Sequence, residues 1–169
     1  MTRSFAPLAA LAGLTLFAAA PAQADAPTFS ERISGWAADV GYRVTTLETC
    51  ESEEEKAFGG SATSCFYAEK IKVKKGDLRP GMGIVEANYG SEAGAKARIA
   101  KLCAAPPGED LEDEGHKSYP LRAAFRLNDR VIVLTTHAFA FRGDIDRAAA
   151  ELAAKAGGTD VTRWKDCAR

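Results

Sequence analysis

Two runs of alternating apolar and polar residues, Leu121–Leu127 and Arg130–Thr136, flank the dipeptide Asn128-Asp129. Two residues that tolerate a positive φ between two such runs are the signature of a tight β-hairpin. A two-residue turn fixes the register, so Leu127 faces Arg130, Phe125 faces Ile132, Ala123 faces Leu134 and Leu121 faces Thr136. The second run keeps its period through His137, Phe139 and Phe141 and is apolar on both faces, which predicts a central strand. A helix follows, announced by Asp144 and stopped by Gly157-Gly158. Its buried stripe is Ile145, Ala148, Ala149, Leu152 and Ala156, with Glu151 and Lys155 paired on the wet side.

The chain before the hairpin supplies the other layers. Residues Thr28 to Val40 predict an amphipathic helix: Phe29, Ile33, Trp36, Ala37 and Val40 share a stripe, Thr28 or Ser30 caps it and Gly41 stops it. Trp36 lies within that stripe and reads as core. Tyr42–Leu47 reads as a strand, Glu48–Ser64 as a loop, and Phe66–Lys75 as a strand with Lys70, Lys72 and Lys74 along one side. Asp77–Gly83 reads as a turn, with Pro80-Gly81 as its signal. Ile84–Tyr89 is the next strand, and Ser91 caps a helix to about Leu102, ended by Pro106-Pro107, with Ala93, Ala97 and Ala100 as its expected buried stripe, joined by Ile99 and Cys103. The expected fold is α+β, with the order α-β-β-β-α-β-β-α. Its antiparallel or mixed sheet has about five strands, with helices mainly on one face.

The first 24 residues are expected to be a secretory signal peptide. Arg3 supplies the charge, Phe5–Ala20 is uncharged and apolar, and Ala22-Gln23-Ala24 offers small residues for cleavage before Asp25. Residues 25–169 then form one domain. Removing the signal leaves 21 Lys+Arg against 23 Asp+Glu, a net charge of −2. That balance speaks against nucleic acid or an anionic membrane as the main partner, and no membrane insertion is expected after signal removal.

All four cysteines lie beyond the signal. An even count in an exported chain predicts two disulfides with three connectivities open, of which Cys50–Cys65 with Cys103–Cys167 is favoured. One ties the base of an acidic loop and the other pins the C-terminal tail to a helix end, worth about 3 and about 4 kcal/mol before strain. The acidic run Glu51–Glu55 lacks the ligand order that curls a loop around calcium and reads as a solvated charge run, and the run from Glu109 to Glu114 before His116 lacks a rigid element to fix ligand geometry. Neither is read as a metal site, and no cofactor is expected.

No catalytic motif is present: no Gly-x-Ser-x-Gly, no His-Glu-x-x-His and no phosphate-cradling loop. The expected function is therefore a small, exported, non-catalytic binding or accessory module of the cell envelope, periplasmic or secreted. Its expected partner is a protein or a small anionic ligand. The alternative is a small disulfide-stabilised hydrolase using His137. The candidate binding residues are Arg122, Arg126, Thr135 and His137. The hairpin register puts them on the face opposite Phe125 and Ile132, which is expected to stand open to solvent if the helices cover the other face.

Protein recovered from its native host should begin at Asp25 and lie outside the cytoplasm. Intact-mass measurement checks this; a retained leader or an added acyl chain would contradict it.

Overall fold

A capping box starts the fold. Thr28 accepts a hydrogen bond from the Glu31 N–H at 3.3 Å, and the Glu31 carboxylate accepts from the Thr28 N–H at 2.7 Å. Both are donors that a helix start leaves open. The bond from the Thr28 backbone holds the Glu31 carboxyl below its usual range. Helix α1 (Phe29–Val40) ends at Gly41, whose φ of 77° is a left-handed conformation that glycine adopts without strain.

The structure, a computed structural model, describes residues 27–104, 121–136 and 141–167. Six strands follow α1: β1 (Tyr42–Thr46), β2 (Ser61–Lys70), β3 (Gly81–Asn88), β4 (Leu121–Leu127), β5 (Arg130–Thr136) and β6 (Thr159–Thr162). They form one antiparallel sheet in the order β1-β2-β3-β5-β4-β6. The remaining helices are α2 (Glu53–Ala57), α3 (Glu92–Ala100), α4 (Arg142–Ala156) and α5 (Trp164–Cys167). The fold is α+β, with one strand more than expected.

The hairpin has the expected register. All four pairs, from Leu127↔Arg130 to Leu121↔Thr136, are present, and Asn128 turns the chain with φ 55°. β5 is central, between β3 and β4. The expected continuation of β5 over residues 137–140, like the signal segment, lies outside the described residues.

Each face of the sheet has its own cover. On the first, α1 and α4 bury Phe66, Ile84, Phe125, Ile132 and Leu134 under Ile33, Trp36, Ile145 and Leu152. Arg32 donates to the Ala156 carbonyl at the end of α4, and Lys155 pairs with Asp39 of α1 instead of the expected Glu151, so the two helices are also tied to each other. On the second face, Ala95 and Leu102 of the α3 segment pack on Ala124, Val131 and Val133.

Four local expectations are corrected. First, β2 lies further upstream than Phe66–Lys75. Its partner β3 starts at Gly81, so the ladder ends at Glu69↔Gly81 and Lys72 and Lys74 have no strand opposite them. Second, Gly81-Met82-Gly83 belongs to β3 rather than to a turn. A Cβ on Gly81 would sit 2.2 Å from the Tyr67 hydroxyl, so the glycine makes room for that ring on the neighbouring strand. Third, α2 forms inside the expected loop. Ser52 caps it, and Glu53, Glu54 and Glu55 occupy the first turn, where the helix dipole favours negative charge. Fourth, β6 was not foreseen.

Both disulfides are present as expected. Cys50–Cys65 and Cys103–Cys167 each span 5.1 Å between Cα atoms. No helix among the described residues is long and apolar enough to cross a membrane.

Candidate functional site

Arg122, Arg126 and Thr135 share the second face, in the expected register: Arg122↔Thr135 and Arg126↔Val131. That face is not open over them. Arg122 is 6% exposed, and its Nε lies 2.7 Å from Oε1 of Glu54. Arg126 donates from Nε to Asp160 at 2.6 Å and from Nη1 to the Asn128 carbonyl at 3.0 Å. Thr135 is half-buried beside Gly83. His137 lies outside the described residues, as does His116 with the acidic run before it. The two arginines therefore hold the protein's own carboxylates, and α3 and α2 are what close the face.

The carboxylate on Arg126 is Asp160 of β6, whereas the one on Arg122 comes from the acidic run, expected as a solvated loop and found folded into α2. Helix α2 presents Glu54 and Glu55 to Arg98 of α3. The Arg98 Nη2 lies 2.8 Å from Glu55 and 2.7 Å from Glu54. Glu55 is 1% exposed and Arg98 2%. The Tyr89 hydroxyl donates to Glu55 at 2.5 Å, and the Arg98 guanidinium stands 4.1 Å over the centre of the Phe58 ring. Burial opposes the charge on Arg98, but its hydrogen bonds and charge pairing with Glu55 and Glu54 outweigh that, and its pKa is raised. Burial and the bond to Glu55 push the Tyr89 hydroxyl well above its usual range. Two acids and two bases neutralise one another here, so the cluster is a joint within the fold. The expected stripe of Ala93, Ala97 and Ala100 is exposed; α3 buries Ala95 and Arg98 instead, with Leu102 four residues beyond Arg98, so the helix is rotated to bring the guanidinium inward.

A recess of about 300 Å³ opens on the first face, where α1, α4 and the β1–β2 edge meet. Gly41 turns the chain directly from α1 into β1, which stacks Tyr42 on Trp36 with ring centroids 5.3 Å apart and planes 26° apart. Lys70 lies across the ladder from Tyr42. Asp144, Arg147 and Glu151 of α4 complete the wall at helical spacing. Arg147 is bonded to Asp144 at 2.6 Å, and the Trp36 indole N–H makes a long 3.4 Å contact with Glu151. Half-buried Lys70 has no ion-pair partner among the described residues. Burial, and then the Asp144 carboxylate, raise the Tyr42 pKa.

A second, larger recess of about 500 Å³ lies at the other end of that face. At its wall Arg130 neutralises buried Glu86 across 2.6 Å. Among the described residues no group of His, Cys, Asp and Glu could hold a metal ion. Comparisons with protein-family models, curated proteins and solved structures return no match.

Replacing Arg122 with Ala should lower unfolding stability by about 1–3 kcal/mol, because it removes a charged bond to the partly buried Glu54. Urea denaturation reads this as a lower midpoint with an unchanged slope. An unchanged midpoint would show that the Arg122–Glu54 contact does not support the fold.

Proposed function

We propose that the chain is an exported, non-catalytic binding or accessory module of the cell envelope. In this reading the recess at the Trp36–Tyr42 corner takes a small anionic ligand. Support for export comes from the N-terminal segment and from cysteines that are all paired in disulfides, bonds that persist in oxidising compartments. The observation that carries the ligand class is the state of the two cations in the recess. Arg147 already has the Asp144 carboxylate and Glu151 lies against the Trp36 indole, whereas Lys70 has no ion-pair partner among the described residues and sits at a concave surface beside stacked aromatic rings. A half-buried ammonium without a counter-charge gains from a carboxylate or phosphate brought to it. Val40 and Ala148 give the body of such a ligand apolar contact.

The test is a melting-temperature screen of the exported protein against small carboxylates and phosphates. A ligand present at a hundred times its dissociation constant adds about 2.7 kcal/mol of stability. The reading expects at least one stabilising compound whose effect is lost in Lys70→Gln. A shift that survives Lys70→Gln would move binding out of the recess. Turnover of a chromogenic ester, phosphate or peptide substrate that is abolished in His137→Ala would replace the binding module with the hydrolase.

A further inference from the structure

Of the lysines expected along one strand, Lys70 ends β2, and Lys72 and Lys74 leave the sheet. Between Lys70 and Pro80 the chain holds four lysines and one arginine against a single acid, Asp77, although the whole chain sums to −1. The charge balance of the chain therefore hides a segregation: one short segment is strongly basic and the remainder is acidic. That segment is the connection between β2 and β3, and its neck is closed. The Lys70 N–H donates to the Pro80 carbonyl at 2.9 Å and the Ile71 N–H to the Gly41 carbonyl at 3.0 Å. Inside, the Asp77 N–H donates to the Lys74 carbonyl at 3.1 Å, and Gly76 takes a φ of 94°. The cations are thus gathered on one compact projection.

Two features of this projection point outward. Lys72, Lys74, Lys75 and Arg79 are exposed and have no ion-pair partner among the described residues. Leu78 is 77% exposed and Ile71 53%, the two most exposed of the large hydrophobic side chains in the described residues. Elsewhere on the molecule the arginines are largely matched to acids, as in the pairs Arg43–Glu69, Arg126–Asp160 and Arg130–Glu86.

We propose that this β2–β3 projection docks the protein on a bilayer surface bearing anionic lipid headgroups. Charge complementarity selects an anionic partner, since each cation near such a surface strengthens binding about fivefold at physiological salt. The apolar tips select the bilayer over a soluble polyanion. An exposed leucine between cations finds an apolar boundary beneath the headgroups, whereas an acidic polymer in water offers it nothing. Docking of this kind is peripheral and inserts no helix. It does not depend on the recess binding a ligand, because Lys72, Lys74, Lys75, Leu78 and Arg79 lie outside the recess wall.

Flotation of the exported protein with vesicles tests the proposal. Vesicles of phosphatidylglycerol and phosphatidylethanolamine should carry the protein, and vesicles of phosphatidylcholine should not. Binding should fall as salt rises and the Debye length shrinks. The triple variant Lys72→Gln, Lys74→Gln, Lys75→Gln should lower partitioning by roughly a hundredfold, and Leu78→Ser by roughly tenfold. Because these side chains are exposed, both variants should melt with the wild type, which separates lost docking from lost folding. A wild type that stays in solution with phosphatidylglycerol vesicles at low salt would overturn the proposal. So would a triple variant that floats as well as the wild type. Tighter binding of the wild type to soluble polyglutamate than to phosphatidylglycerol vesicles, together with a Leu78→Ser variant that binds those vesicles as well as the wild type, would also overturn it and point to an acidic macromolecule.

Discussion

A guanidinium buried between two helices and a sheet obliges a distant part of the chain to come to it. The Arg98 side chain has no solvent exposure, and leaving such a charge uncompensated costs several kcal/mol. Its main counter-charge, Glu55, is 43 residues away in sequence, so the pair forms only when α2 reaches α3. Much follows from that contact. Glu54 arrives beside Glu55 and neutralises Arg122 of β4; Phe58 meets the face of the guanidinium; Tyr89 spans from the end of β3 to Glu55. The Cys50–Cys65 bridge encloses α2 in a short covalent loop with a sequence separation of 15. Cross-linking limits the freedom of that loop in the unfolded chain and so favours its docked form.

The same joint explains why the second sheet face closes differently from the first. On the first face, α1 and α4 present wide apolar stripes, and burial of Ile33, Trp36, Ile145 and Leu152 suffices to hold them. On the second, α3 contributes a narrow stripe built around Ala95 and Leu102. Charge pairing and the two disulfides add the hold that this smaller apolar area lacks, with Cys103–Cys167 pinning the end of the α3 segment to α5. The concave recess and the basic projection share the Tyr42–Lys70 end of the sheet, since Lys70 forms part of the recess wall and also the neck of the β2–β3 connection.

Features governed by local rules were legible in the sequence. The register of β4 and β5 follows from period-two alternation around Asn128-Asp129, and α1 is bounded by Thr28 and Gly41 because capping chemistry is local. The cysteine pairing followed from which ends each bridge had to tie. What sequence could not show depended on partners far along the chain. Glu54 and Glu55 sit in a run that reads as solvated, and only the arrival of α3 with Arg98 makes them buried partners. β2 stops where β3 begins, so Lys72 and Lys74 keep a strand-like spacing in a segment that is not a strand. β6 is four residues long, carries Asp160 at φ 53°, and pairs with β4 across a register shift, so no alternation marks it. The candidate surface of Arg122, Arg126 and Thr135 was correct in register, but its exposure depended on where α3 would lie, which periodicity does not encode.

The central claim is that Glu55 and Arg98 hold the second face together as a coupled pair rather than as two independent buried groups. A double-mutant cycle in the disulfide-intact protein, using Glu55→Gln, Arg98→Met and their combination, measures this by urea denaturation. Each single change leaves a buried charge short of its partner, whereas the double change removes both charges, so the account predicts a coupling energy of about 2–3 kcal/mol. Destabilisations that add to within about 0.5 kcal/mol would contradict it.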